Sequence, residues 1–335
     1  MSASETALTP RRVLVTGASG MLGGAVAQRL RDQGHHVRTF QRGASKGATD
    51  EVRGSLTDLE AVAAAVESMD AVIHLAAKVS FTGQWEDFVA TNIVGTSNLL
   101  EASRESGVKD FVFVSSPSVA HFGDSLAGAG AGEADPLQAR GFYARSKAAA
   151  ELDALGNDSP ELRVTAIRPH VVWGPGDTQL VERVIQRAKA GRLPLLDNGA
   201  ALIDTTYIDN AAAAIVRSLE RMDHAHGRAL VVTNGEPRPV GELIAGICKA
   251  GGAPAPKLNV PGWLARTAGS VIEKLWLAAG SRNLVHDEPP MTRFLAEQLS
   301  TAHWFDQRET HEVLDWKPEV TIDEGLEKLS AHYQN

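Results

Sequence analysis

The stretch Arg12-Val-Leu-Val-Thr-Gly-Ala-Ser-Gly-Met-Leu-Gly-Gly24 decides the fold. Val13, Leu14 and Val15 form a short apolar run of the kind a buried parallel strand presents. The run ends in glycines spaced three apart and passes directly into Leu22, Val26 and Leu30 at helical spacing. It therefore reads as a strand, a tight turn and a helix start. Gly17 can take the backbone angles the turn needs, Gly20 lets a diphosphate approach the main chain without meeting a Cβ, and Gly23 lets the helix lie close on the sheet. Free N–H groups at the helix start then face the anion. This makes Gly17, Ser19, Gly20, Met21, Leu22 and Gly23 the candidate diphosphate-binding residues. A glycine trio alone is weak, but here the strand before it and the helix after it supply the context a dinucleotide turn requires.

The whole chain sets bounds on that reading. Its 335 residues allow one large or two small domains with a sizeable core. With 33 basic against 41 acidic residues the formal charge is −8, which argues against a nucleic-acid surface. The single cysteine, Cys248, can form no internal disulfide and offers no metal cluster, so no metal site is expected and a reducing cytoplasm is the natural setting. Residues 1–10 are polar with no apolar core, so no signal peptide is expected. No uninterrupted apolar stretch approaches the length of a membrane span. A Gly/Ala-rich patch at 126–134 reads as a mobile loop.

After the first helix, closed by Gly34, a second strand runs from His36 to Phe40 and ends in Gln41-Arg42-Gly43. An acidic residue at this strand end would hold the two ribose hydroxyls of NAD and repel a 2′-phosphate. No acid is present there and Arg42 is, so NADP(H) is expected over NAD(H); the alternative reading of Arg42 is a solvated surface arginine. Thr57 and Glu60 make a capping box for a helix running to about Ser68. Asp70 to Ala77 is the next strand, which brings Leu75, Ala76 and Ala77 over the crevice of the glycine turn and buries His74 as a packed core histidine.

A long helix is expected over 85–106, then a strand from Phe111 to Ser116. Hydroxyls placed where a parallel strand ends project into the ligand crevice of an open sheet, which makes Ser116 a site candidate. The following helix, near 142–155, carries Tyr143-Ala-Arg-Ser-Lys147, and a spacing of four puts phenol and ammonium on one face. Tyrosine has an ordinary pKa near 10, so as a proton carrier at neutral pH it needs nearby positive charge, which Lys147 would supply by lowering it.

Val164 to Trp173 reads as a further strand, and Pro169, lacking an N–H, suits an approach to an apolar ring face. A helix over 178–190, a short return at 203–208, a helix over 210–221 capped by Asp209 and a strand at Leu230–Thr233 follow. From 240 onward the pieces are helical and proline-punctuated. The expected architecture is α/β: a Rossmann-type doubly wound parallel sheet with a smaller, mostly helical C-terminal substrate lobe. Residues 11–172 form the dinucleotide-binding domain with 206–234 returning to it, and 173–205 and 235–330 form the lobe. Within the lobe Trp263, Leu264, Ala268, Val271, Ile272, Leu275 and Trp276 recur at helical spacing as a broad apolar face over 263–279. Two accounts stay open: a helix packed on the lobe, or a lid for a long apolar substrate that also touches a membrane surface or partner enzyme.

With the glycine turn, Ser116, Tyr143 and Lys147 in place, the chain resembles the extended short-chain dehydrogenase/reductase family over nearly its whole length. Arg168-Pro-His-Val-Val-Trp-Gly-Pro-Gly-Asp177 is similar to its 3β-hydroxysteroid dehydrogenase-like branch. Asp204-Thr-Thr-Tyr-Ile-Asp-Asn210 and the stretch from Thr292 to Trp304 resemble bacterial reductases that act on 2-alkyl-3-oxoalkanoates in long-chain olefin biosynthesis. The resemblance implies catalytic roles for Ser116, Tyr143 and Lys147, a ribose contact for Tyr143 and Lys147, and a nicotinamide-flanking place for Pro169. It implies NADPH-dependent reduction of a β-keto acid, a long-chain 2-alkyl-3-oxo acid as substrate, and a homodimer formed through the helices at 85–106 and 142–155, with other enzymes of the olefin pathway as further partners. The alternatives are an NAD(P)-dependent 3β-hydroxysteroid or sterol dehydrogenase and, from another class, a non-catalytic NADP-sensing protein. Ser55 departs from the family pattern, which has an aspartate near the adenine.

Overall fold

The computed structural model describes residues 9–45, 47–80, 83–264, 267 and 300–334. Most of the apolar face expected over 263–279, and most of the stretch from Thr292 to Trp304, lies outside them. Seven parallel strands form the central sheet: β1 (Arg12–Thr16), β2 (His36–Gln41), β3 (Asp50–Arg53), β4 (Ala71–His74), β5 (Asp110–Val114), β7 (Arg163–Pro169) and β12 (Ala229–Val232). Their spatial order is β12-β7-β5-β4-β1-β2-β3. The chain thus walks outward from β1 on one side and restarts at β4 on the other, which makes the gap beyond the carboxyl ends of β1 and β4 the switch point of a doubly wound sheet. The expected Rossmann-type architecture is what the chain adopts.

Helices cover both faces because each sheet face is apolar. On one side α1 (Met21–Asp32) and α7 (Ile208–Glu220) bury Val26, Leu30, Ala212 and Ile215 against Val13, Val15 and Ile73. On the other, α2 (Leu59–Val66), α4 (Gly95–Glu105) and α5 (Gly141–Gly156) bury Val62, Leu99 and Ala150 against Leu14, Phe111 and Phe113. A further core is built by Trp173, Tyr207, Ile244 and Leu329, from α6 (Val181–Lys189), α9 (Val240–Ala250) and the last helix, α11 (Ile322–Gln334). Leu314 and Trp316, at the end of α10 (Arg308–Leu314), nevertheless belong to the core of the main sheet.

Several local expectations need correcting. Asp58, not Thr57, caps α2 by accepting from Ala61 N, because Thr57 is engaged with the Ser55 hydroxyl. Asp209 is not a cap: Tyr207 holds that place and Asp209 pairs with Lys328 at 3.1 Å. The strand expected over 164–173 breaks after Pro169, where Val171 adopts a left-handed φ of 42°. Beyond the break β8 (Val172–Trp173) pairs instead with β11 (Thr206–Tyr207). The patch read as a loop contains a strand, β6 (Leu126–Ala129), pairing in parallel with β15 (His303–Phe305) inside a four-stranded sheet. The helix over 85–106 begins as α3 (Trp85–Phe88), widens into a π-helical segment at Val89–Val94 and continues as α4.

Among the described residues no helix is long and apolar enough to cross a membrane.

Candidate active site

The glycine turn sits at the switch point. Gly17 has φ of 74°, and its N–H donates to the Phe40 carbonyl at 3.0 Å, tying the turn to the end of β2. A Cβ at Gly17 would stand 2.9 Å from the Ala76 nitrogen, so the turn lies directly against the end of β4. A Cβ on Gly23 would run into the Gly17 carbonyl oxygen, which is why α1 can start this close to the strand only with glycine there. Gly20 meets only that carbonyl, at 3.4 Å, and together with Ser19 is exposed toward the crevice. Met21 and Leu22 are half-buried in the first turn of α1, with Leu22 against the main core.

Thr16 and His74 lock the two central strands together. The Thr16 hydroxyl oxygen accepts from Leu75 N at 3.1 Å and Ala76 N at 3.0 Å, so its proton goes to His74 Nδ1 at 2.7 Å. His74 Nε2 then donates to the Thr96 hydroxyl at 3.1 Å, which donates to the Asn92 carbonyl at 2.6 Å. Burial pushes the imidazole pKa down to about 3, with Lys147 adding to the effect. His74 is a neutral, hydrogen-bonded core histidine.

Beyond β5 the chain delivers two serines. Ser116 caps a 3-10 turn at Pro117–Ala120, its oxygen accepting from Ser118 N at 3.3 Å with the Ser118 hydroxyl 2.9 Å away. Ser115, buried at 6 % exposure, has a hydroxyl with no hydrogen-bond partner among the described residues. Across from them α5 brings up Tyr143 and Lys147. Desolvation pushes the Tyr143 phenol up to about 12, with the nearby Ser116 side chain opposing. Lys147, 2 % exposed, donates to the Val114 carbonyl at 2.7 Å and lies 3.8 Å from the Phe113 ring centroid. Burial brings its pKa down to about 7, with Glu151 opposing. The expected lowering of the phenol by Lys147 is therefore not what this arrangement gives: desolvation raises the phenol instead, and it stays a proton donor.

Three groups to which the sequence reading gave no role complete the surroundings. Asn92, buried in the π-helical segment, accepts from Lys78 N at 2.7 Å, donates to Lys78 O at 3.1 Å and to the Ser146 hydroxyl at 2.9 Å. It thereby pins the strand-end loop to the helix of Tyr143. Arg168, just before the buried Pro169, is paired in the core with Glu151, its Nε donating at 2.9 Å, and also donates to the Ala131 and Gly132 carbonyls. A polar side chain on an apolar face was the available signal for both, since burial of such groups is costly unless they are bonded. Glu51, on β3, is the third: a carboxylate does stand at the end of β2, but it comes from the neighbouring strand and bonds Gln41 rather than following it in sequence. Arg42 is exposed beside it. The Ser55 hydroxyl, in the place of an aspartate, bonds only Thr57 among the described residues.

These residues fit a dinucleotide. The glycine cradle leaves main chain open, and the buried Ser115 hydroxyl and the buried Gln41 Oε1 have no partner among the described residues. The description "NAD dependent epimerase/dehydratase family" matches residues 13–233, the span from β1 through β12. The chain belongs to that family, the extended short-chain dehydrogenase/reductases. It is 38% identical over 331 residues to the 2-alkyl-3-oxoalkanoate reductase of Stenotrophomonas maltophilia, covering 96% of this chain and 98% of that one. It is 35% identical over 335 residues to the protein of the same name from Shewanella oneidensis, covering 95% and 85%. It is 26% identical over 333 residues to the sterol-4-alpha-carboxylate 3-dehydrogenase, decarboxylating, of Mus musculus, covering 97% and 91%. Among solved structures, the UDP-glucose 4-epimerase of Thermus thermophilus in complex with NAD superimposes with a TM-score of 0.69 at 24% identity, covering 96% and 99%. That likeness confirms the fold of this extended short-chain dehydrogenase/reductase and nothing further.

Proposed function

We propose that the protein reduces the 3-carbonyl of a long-chain 2-alkyl-3-oxoalkanoate with NADPH, giving the 2-alkyl-3-hydroxyalkanoate, as a cytoplasmic step of long-chain olefin biosynthesis. The observation that carries the reading is the Tyr143 phenol beside Ser116 at the end of β5, with Lys147 one helical turn away. Similarity to two proteins named as such reductases, at 38% and 35% identity, supports the substrate class.

Gly17, Ser19, Gly20, Met21, Leu22 and Gly23 would hold the diphosphate on the main-chain N–H groups of the turn and of α1. Arg42 would hold a 2′-phosphate, the ground for NADP(H) over NAD(H). Leu75, Ala76, Ala77 and Pro169 would flank the nicotinamide side, and Tyr143 and Lys147 its ribose. The dinucleotide, when bound, supplies the hydride. As negative charge builds on the carbonyl oxygen, the Ser116 hydroxyl donates a hydrogen bond to it and Tyr143 donates the proton, worth about 10²–10⁴ in rate for a positioned acid. With its pKa held near 12, the phenol is protonated at neutral pH and able to give that proton. Lys147, titrating near 7, carries a charge that stabilises the phenolate left behind.

Residues 11–172 with 206–234 are proposed to hold the cofactor, and 173–205 with 235–330 the substrate. The homodimer contact is proposed to run through the helices at 85–106 and 142–155, on which Val94 and Leu152 are exposed at 44% and 48%. The second reading, a 3β-hydroxysteroid or sterol dehydrogenase, is favoured by the 26% identity to the mouse enzyme. Purified protein should oxidise NADPH with 2-alkyl-3-oxo acids, faster as the chains lengthen, and leave 3β-hydroxysterols untouched. Sterol oxidation without keto-acid reduction would reverse the order of the two readings.

A further inference from the structure

β2 ends on Gln41, an uncharged amide standing where an acceptor for ribose hydroxyls is wanted at the switch point. The side chain is only 7% exposed. Its Nε2 donates to Glu51 Oε1 at 2.8 Å and lies 3.4 Å from the Thr39 hydroxyl. A carboxylate only accepts, so this bond settles the orientation of the amide: nitrogen toward Glu51, oxygen away from it. That oxygen, Gln41 Oε1, is buried without a partner among the described residues.

Glu51 does more than orient Gln41. Its Oε1 also accepts from the Ser45 N–H at 2.7 Å, which closes the short loop carrying Arg42 back onto β3. Its Oε2 accepts from Arg53 Nε at 2.7 Å, so a guanidinium that could otherwise turn to an anion is already engaged. The Ser45 N–H and the Arg53 side chain hold the carboxyl below its ordinary range, so it is charged at neutral pH. The strand end is therefore governed by one anion and two cations: Glu51 from β3, Arg53 bound to it, and the exposed Arg42.

We propose that Glu51 sets the dinucleotide selectivity of this site: it aims the Gln41 carbonyl at a ribose hydroxyl, keeps Arg53 occupied and, by its own charge, opposes the pull of Arg42 toward a 2′-phosphate. The inference rests on the reading of the crevice as a nicotinamide dinucleotide site. On this account the preference for NADP(H) is a balance rather than a fixed property. Removing the carboxylate charge releases Arg53, withdraws the repulsion and lets the Gln41 amide turn, and all three changes act in one direction.

The test is calorimetric titration of the full-length protein with NAD⁺ and NADP⁺ at one ionic strength, with thermal melts of each variant as a check on folding. Glu51→Gln is expected to raise the ratio of NADP⁺ to NAD⁺ affinity about tenfold, a change of about 1.4 kcal/mol in relative binding. Gln41→Leu keeps the charge of Glu51 and its bonds to Ser45 and Arg53. It is expected to weaken NAD⁺ about tenfold while NADP⁺ changes less than threefold, and it decides the matter if Glu51→Gln does not fold. A ratio in Glu51→Gln that stays within twofold of the wild type, or falls, overturns the inference while leaving the dinucleotide reading intact. Unchanged NAD⁺ affinity in Gln41→Leu does the same. Wild-type protein that binds neither dinucleotide overturns both. Wild-type protein that favours NAD⁺ removes the proposed NADP(H) preference alone, and an upward shift in Glu51→Gln then still supports the role of Glu51.

Discussion

The Lys147 ammonium donates to the main-chain carbonyl of Val114 at 2.7 Å, so the helix that carries Tyr143 is tied to the last residue of the strand that leads to Ser116. The bond fixes the distance between the two groups that act on the same oxygen in the proposed reduction. It also puts a lysine where it is dry, and several measurable consequences come from that placement.

Tyr143→Phe removes the proposed proton donor and little else, because Ser116 keeps its bond to Ser118. Turnover is expected to fall by about 10²–10⁴, with the dissociation constant for NADPH within about threefold of wild type. Steady-state rates and titrations on the same preparation check it. Turnover within tenfold of wild type would remove Tyr143 from the mechanism.

Lys147 makes the fold respond to alkali in an unusual direction. Its pKa is about 7 in the folded protein against an ordinary value of 10.5, so between those limits the unfolded chain binds more protons than the native one. Stability then rises with pH across that window, by at most about 1.4 kcal/mol per unit from this group, and the penalty for burying the charge is fully present below pH 7. Urea unfolding of wild type and Lys147→Met at pH 7, 8 and 9 should show the difference between them shrinking as pH rises if the variant is the more stable at pH 7. A pH-independent difference would mean the ammonium is not desolvated.

Gly17→Ala places a methyl group against the Ala76 nitrogen at a φ of 74°, and neither the strand end nor the turn can give way cheaply. A loss of about 1–3 kcal/mol is expected from the backbone strain, together with loss of dinucleotide binding. Thermal melts and NADPH titration read the two effects separately.

The Arg168–Glu151 pair is buried on both sides, at 1% side-chain exposure each. Breaking such a pair leaves one uncompensated charge in the core, so Arg168→Met alone is expected to cost about 3–5 kcal/mol. The double variant Arg168→Met with Glu151→Leu should recover part of that loss. Additive losses in a double-mutant cycle would show that the two groups do not depend on each other.

The strand, turn and helix from Arg12 onward were legible because their requirements are local: an apolar run, glycines where main chain must approach main chain, and helical spacing after them. The serine, tyrosine and lysine were legible for the same reason, each being placed by a strand end or by one helix face. What escaped was set by partners distant in sequence or by weak local pattern. β3, Asp50-Glu-Val-Arg53, is an edge strand with little apolar content, so no alternation marks it. Leu126–Ala129 becomes a strand only because His303–Phe305 lies beside it. Glu51 carries no local signal of its own: only the pairing of Thr39 with Glu51 brings it beside Gln41. The tyrosine pKa was misjudged because spacing shows which charge is near, not how much water has been removed.

The pairing of β6 with β15 joins stretches far apart in the chain: His121, just before β6, lies beside His303, 182 residues later. During translation the segment after Ser116 must therefore wait for nearly the whole polypeptide to leave the ribosome before its neighbour exists. Most of the central sheet can assemble early, from consecutive strands and helices, while the β6–β15 pair is completed last. A nascent chain arrested before residue 300 should be open to proteolysis around 126–134.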